Sequence, residues 1–163
     1  MIVIMGPSGC GKSTLAQAMA DATGFELVEG DDHHPPANIA KMASGEALSE
    51  EDRIAFLDSI GQALAANRHG IVASCSALRR SHRDRLRRHA PGALFVWPDV
   101  TGDELQRRVS QRRGHFMPAS LLPDQLDTFE PPQPDEKALR IEGQRPVAEQ
   151  VDTVRRYIES RKR

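Results

Sequence analysis

Of 163 residues only two are cysteines, one is tryptophan and one is tyrosine, while 22 lysines and arginines are offset by 23 aspartates and glutamates. Each scarcity excludes something. Cys10 and Cys75 are too few and too scattered for a disulfide framework, so stability must come from a packed core, and a reducing compartment is the natural setting. A formal net charge of −1 argues against a general polyanion binder, and no nucleic-acid partner is expected. No apolar run reaches the length of a bilayer span, and the chain opens on Met1-Ile2-Val3-Ile4-Met5 without a charged leader or small-residue cleavage site. A cytoplasmic protein with no membrane partner is therefore expected. Internal repeats and low-complexity tracts are absent. His33 and His34 lack further ligands at metal-site spacing and read as a turn or a substrate contact.

What the chain has, directly after its first apolar run, is Gly6-Pro7-Ser8-Gly9-Cys10-Gly11-Lys12-Ser13, which meets G-x-x-x-x-G-K-[ST] at every fixed position. A triphosphate must be wrapped by backbone N–H groups, which a glycine-rich turn brings close and a helix N-terminus reinforces with its dipole. Gly6, Ser8, Gly9, Cys10, Gly11, Lys12, Ser13 and Thr14 are the expected nucleotide site. Lys12 reaches the β- and γ-phosphates, and the Ser13 hydroxyl is the expected Mg²⁺ ligand. Cys10 lies beside Lys12 and a helix start, surroundings that can lower a thiol pKa, but it is read first as a plain small residue of the loop.

Short β-like runs at Ile2–Met5, Phe25–Glu29, Gly70–Cys75, Leu94–Trp97 and Ala138–Ile141 alternate with helical stretches at Lys12–Thr23, Pro36–Ala43, Glu50–Asn67, Arg79–His89, Gly102–Arg112, Pro118–Thr128 and Val147–Arg161. This alternation predicts an α/β fold of the P-loop NTPase kind, with a five-stranded, mainly parallel sheet and helices on both faces. Ser49 with Asp52 approximates a capping box. One domain spans residues 1–163. A lid covers about 112–134, closed off by Pro131-Pro132-Gln133-Pro134.

Strand ends of a parallel sheet line the ligand crevice, so Asp31 in Glu29-Gly30-Asp31-Asp32 should face the transferred phosphate, either accepting a hydroxyl proton or helping to hold Mg²⁺. Arg80, Arg83 and Arg87 align on one helical stripe that can face an anionic substrate. Arg108, Arg112, Arg113 and His115 precede the lid, where mobile cations can stabilise transition-state charge.

Beyond the phosphate loop, the chain carries Gly30-Asp31, His34-Pro35, Asn38, Lys41-Met42-Ala43-Ser44-Gly45, Asp52-Arg53, Cys75-Ser76-Ala77-Leu78, Gly114-His115-Phe116, Gln125 and Glu130-Pro131. In these it resembles the gluconokinases, small P-loop kinases related to shikimate kinase, almost from end to end. The resemblance implies phosphorylation of D-gluconate by ATP with Mg²⁺ in a homodimeric enzyme. It implies Lys12, Asp31 and Arg112 as catalytic, and Asp31, His34, Lys41, Arg53, Arg83, His115 and Gln125 around the sugar acid. It pairs Arg108 with Pro146 about adenine and places Arg112 over the phosphates. Glu29, His82 and Asp124 depart from the usual aspartate, tyrosine and serine. The alternative acceptor is another small hydroxylated acid or a nucleoside monophosphate. A regulatory GTPase is excluded by the lack of an Asn-Lys-x-Asp segment.

Overall fold

A central strand buried on both faces must be apolar at every residue, and Ile2-Val3-Ile4 is. In a computed structural model, which describes residues 1–67 and 69–161, this run forms β1 (Ile2–Ile4) in the middle of a wholly parallel sheet. The elements follow as α1 (Lys12–Thr23), β2 (Glu26–Glu29), α2 (Pro36–Ala43), α3 (Glu50–Ala66), β3 (Ile71–Ser74), α4 (Arg80–His89), β4 (Leu94–Asp99), α5 (Gly102–Gln111), α6 (Leu122–Thr128), β5 (Ala138–Glu142) and α7 (Val147–Ser160). The strand order is β2-β3-β1-β4-β5.

Side chains alternate across a strand, so β1 feeds two cores. Ile2 and Ile4 pack with Leu15, Met19, Val151 and Val154 under α1 and α7. Val3, with Met5 just beyond the strand, packs with Phe56, Ile60, Leu64 and Leu86 under α3 and α4. The α3 capping box forms, with Ser49 Oγ accepting from Asp52 N–H at 3.1 Å and Ser49 N–H donating to Asp52 Oδ2 at 2.8 Å.

Two element boundaries differ from the sequence reading for reasons of proline chemistry. β4 runs on through Pro98 to Asp99 because β1 pairs with it only as far as Val96, so the missing N–H falls where β5 is the remaining neighbour. The stretch from Pro118 is not one helix: a 3-10 turn at Ala119–Leu121 precedes α6, whose second residue is Pro123. An α-helical bond from that residue is impossible.

Arg80, Arg83 and Arg87 do share a stripe, but the anions they meet belong to the chain. Arg80 bonds Asp135 through both terminal nitrogens, at 3.1 and 2.6 Å. Arg83 grips Glu136 bidentately at 2.7 and 2.8 Å, and Arg87 adds a bond to Glu136 at 2.9 Å. The third nitrogen of Arg83, Nη1, donates to the carbonyls of Ala77 and Leu78 at 3.1 and 3.3 Å. With Arg83 0% exposed, the expected contact to an acceptor is corrected to a structural role. It holds the 75–78 loop, including Ala77 in a left-handed conformation at φ 40°.

Burial would raise the Glu136 carboxyl, but hydrogen bonds from Arg83, the Gln133 N–H and Arg87 outweigh it and hold the pKa at about 2. Because the folded value is depressed from 4.5, the pair's full stabilisation is present above pH 4.5 and lost as pH falls towards about 2. Glu136→Gln should lower the unfolding free energy by about 3–5 kcal/mol in urea titrations at pH 7, since it strands a buried guanidinium; a loss as small as an exposed pair gives would contradict the assignment.

Candidate active site

Between β1 and α1 the glycine-rich loop wraps tightly enough that side chains are excluded. Gly9 has φ +86°, and a Cβ there would lie 2.9 Å from Val109 Cγ2 and 3.2 Å from the Leu105 carbonyl. The loop is therefore pressed against α5, and from α5 Arg108 reaches back to donate to Gly9 O at 3.3 Å while Glu104 holds its Nε at 2.7 Å. Lys12 Nζ folds over the loop onto Pro7 O at 3.1 Å. Gly6 and Cys10 shape the loop from within: their N–H groups bond Ser76 O at 3.1 Å and Pro7 O at 3.3 Å. The expected acid shift of Cys10 is reversed, because full burial pushes the thiol up against the pull of Lys12.

The end of β2 is sewn to β3. Gly30 N–H donates to Ser74 Oγ at 3.0 Å, and the Ser74 hydroxyl in turn donates to the Glu29 carboxylate. A Cβ on Gly30 would stand 2.1 Å from Ser74 O, so only glycine permits this approach. The following 3-10 turn, Gly30–His33, presents Asp31. Residues 112–134 fold back over the loop. His115 Nδ1 accepts from Met117 N–H at 3.2 Å, which leaves the proton on Nε2, and Nε2 donates to Asp31 Oδ2 at 3.0 Å. Gln125 Oε1 accepts from Ser8 N–H at 2.7 Å.

The opposite wall is aromatic. His34 stacks on Phe56 with centroids 3.8 Å apart and meets Phe116 edge-on at 6.1 Å, while Phe116 stacks on His115 at 4.5 Å. Among the described residues the buried His34 Nδ1 meets no hydrogen-bond partner.

Together these elements enclose a cavity of about 350 Å³. Of the expected nucleotide residues, Ser8, Gly9, Gly11, Lys12, Ser13, Thr14, Arg108 and Arg112 line it. Of the expected acceptor residues, Asp31, His34, Arg53, His115 and Gln125 do so. Five others do not: Gly6 and Cys10 shape the loop from within, as described, and three lie elsewhere. Arg83 is spent on Glu136, as described. Lys41 is drawn off to Asp52 at 2.7 Å, the carboxylate that also caps α3. Pro146 is the residue preceding α7 and is not part of the lining. Residues the sequence reading passed over, Phe56, Ser74 and Met117 among them, complete the walls. Phe56 follows Arg53 by three positions on α3, a spacing that puts both on one face.

A phosphate loop at the end of a central parallel strand, with a carboxylate and cations across the same cavity, defines a P-loop kinase. A family model described as an AAA domain matches residues 1–132, and the chain belongs to that family. It is 45% identical over 148 residues to a gluconokinase of Gluconobacter oxydans, covering 88% of this chain and 83% of that one. To the thermosensitive gluconokinase of Escherichia coli it is 35% identical over 161 residues, covering 96% and 86%. The crystal structure of a gluconokinase from Sinorhizobium meliloti superimposes with a TM-score of 0.84 at 46% identity, covering 93% of this chain and 86% of that one. The chain belongs to the gluconokinase family.

Burial lowers the His34 pKa to about 4, with Asp31 opposing the shift and Arg53 adding to it. The ring should therefore stay neutral through the pH 5–8 window in which a free imidazole charges. Histidine titration followed by NMR checks this, and a His34 resonance that titrates at the ordinary value of 6.5 would refute the buried placement.

Proposed function

We propose that this protein transfers the terminal phosphoryl group of ATP to D-gluconate, giving ADP and 6-phospho-D-gluconate. The observation that carries the reading is that a phosphate loop, the Asp31 carboxylate and the Arg53 guanidinium face one cavity. Loop N–H groups and Lys12 bind the phosphates, and Arg108 and Arg112 add positive charge from the end of α5. Asp31 accepts the proton of the attacking hydroxyl as its oxygen bonds to phosphorus and the bond to the ADP oxygen breaks. By occupying Oδ2, His115 leaves Oδ1 of Asp31 to the acceptor. Arg53 pairs with the carboxylate of the sugar acid.

Among the described residues no group of three His, Cys, Asp or Glu side chains could hold a metal alone. That fits Mg²⁺, which keeps waters and takes few protein ligands, here the Ser13 hydroxyl at the start of α1. When bound with the nucleotide, Mg²⁺ neutralises charge on the phosphate oxygens. Residues 112–134 act as the lid, with His115 and Gln125 as its inward contacts. Among the described residues no helix is long and apolar enough to cross a membrane. A cytoplasmic homodimer completes the reading, supported by the family resemblance.

ADP release measured over a panel of gluconate, other sugar acids, glucose, shikimate and nucleoside monophosphates should favour gluconate over glucose by at least about tenfold in kcat/KM, because glucose brings no carboxylate to the free N–H groups of Arg53. Near-equal values would overturn the sugar-acid assignment. Asp31→Asn should lower kcat by about 10²-fold or more with the KM for ATP nearly unchanged. If ATP binding collapsed instead while turnover at saturation stayed normal, Asp31 would serve the metal and not the hydroxyl.

A further inference from the structure

Arg53 enters the cavity from the first turns of α3, beside Phe56, with its side chain 14% exposed. A long arginine recognises a carboxylate well only if its planar fork is held in orientation beforehand. Glu50, one turn earlier, accepts from Arg53 Nη1 at 2.9 Å. Taken alone this is an i,i+3 pair with a half-exposed glutamate, which contributes little.

Glu50 is itself gripped from behind. Its second oxygen, Oε2, lies 2.9 Å from Nε2 of His82 on α4, a ring whose side chain is 4% exposed. His82 Nδ1 accepts from the Arg79 backbone N–H at 3.2 Å. The proton is thereby fixed on Nε2, and the imidazole must donate to Glu50. Burial lowers the His82 pKa despite Glu50, which keeps this donor neutral. The Glu50 carboxyl would be raised by burial, but His82, Arg53 and Arg79 together hold it down and charged. The bonds thus converge on the Glu50 carboxylate, which accepts at Oε2 from the imidazole, itself fixed by the Arg79 N–H, and at Oε1 from the guanidinium. Among the described residues Nε and Nη2 of Arg53 make no further bond.

We propose that Glu50 and His82 are positioning residues for acceptor selection, holding the Arg53 guanidinium so that its remaining N–H groups meet the carboxylate of the sugar acid. This rests on the gluconokinase reading above. A cluster that only stitched α3 to α4 would influence stability and both substrates alike. A positioning role acts on one substrate.

The test compares His82→Leu, His82→Gln, Glu50→Gln and Arg53→Met by steady-state kinetics and thermal unfolding. Arg53→Met should raise the KM for gluconate at least about tenfold, the loss of a charged hydrogen bond. His82→Leu and Glu50→Gln should each raise it about three- to tenfold, with kcat and the KM for ATP unchanged. His82→Gln keeps a donor at a similar reach to Nε2 and should return the KM for gluconate to within about twofold of the parent. If His82→Leu folds poorly, Glu50→Gln against His82→Gln decides the matter, since both keep the volume of the site. Parental gluconate KM in Glu50→Gln and His82→Leu, alongside a raised value in Arg53→Met, would overturn the proposal and leave the gluconokinase reading intact. A parallel rise for gluconate and ATP with a lowered Tm would also overturn it. An unchanged gluconate KM in Arg53→Met would remove the role of Arg53 itself, and both readings with it.

Discussion

Five strands that all run the same way deliver every C-terminal end to one edge, where the backbone leaves the sheet and must find new partners. Three of the loops leaving that edge are tied to one another before any ligand is considered. The phosphate loop is fastened to the loop after β3 through Gly6 N–H and Ser76 O. The end of β2 is fastened to β3 through Gly30, Ser74 and Glu29. Arg83 then clamps the carbonyls of Ala77 and Leu78 from beneath. A site held in this way is organised by the chain's own bonds, so its donors need little reorganisation when charge moves across them. The buried Arg83–Glu136 pair belongs to this scaffold. Replacing it with apolar groups could match its stability but would release the loop that shapes the acceptor wall.

Nearly balanced charge does not mean an even potential. Most of the arginines on α4 are consumed by Asp58, Asp84, Asp135 and Glu136. Facing the cavity, among the described residues, Lys12 bonds only the Pro7 carbonyl and Arg112 has no carboxylate partner. Pairing reaches the cavity too, where Arg53 and Arg108 are bonded to Glu50 and Glu104, so Lys12 and Arg112 are the lining cations that meet no carboxylate among the described residues. Histidines serve the same economy. In both His82 and His115 a backbone N–H fixes the tautomer and the far nitrogen steadies a carboxylate, without adding charge at neutral pH in the case of His82.

What the sequence made legible was local. The phosphate loop, the Ser49–Asp52 cap and the alternation of strands with helices depend on spacings of a few residues, and each formed as read. Arg83 and Lys41 misled because their fates are set at a distance. Glu136 lies 53 positions from Arg83, beyond a proline-rich stretch that gives no hint of where it returns. Asp52 serves both the α3 cap and Lys41, and only the packing of α2 beside α3 brings the lysine within its reach. The stack of His34 on Phe56 joins a turn to a helix face, and nothing in either segment alone encodes it.

The 112–134 segment, proposed above as the lid, is held over the cavity by contacts of unequal strength. Its base near Glu130 is firm: Glu130 N–H bonds Leu78 O at 2.8 Å, and its carboxylate accepts from Arg80 N–H at 2.8 Å. Its polar inward contacts are two hydrogen bonds, Ser8 N–H donating to Gln125 Oε1 and His115 Nε2 donating to Asp31, set beside apolar packing of Leu121 with Met42 and Leu48 and of Leu122 with Cys10, Val100, Leu105 and Val109. A ligand oxygen at Ser8 N–H takes the place of an amide oxygen, exchanging one hydrogen bond for another at little net change in free energy. On the function proposed above, the phosphate loop would thereby keep its donor satisfied until a phosphate oxygen replaces the amide. The His115 bond to Asp31 uses Oδ2 alone. One segment thus contacts both the phosphate loop and the carboxylate to which the proposed function gives the role of base.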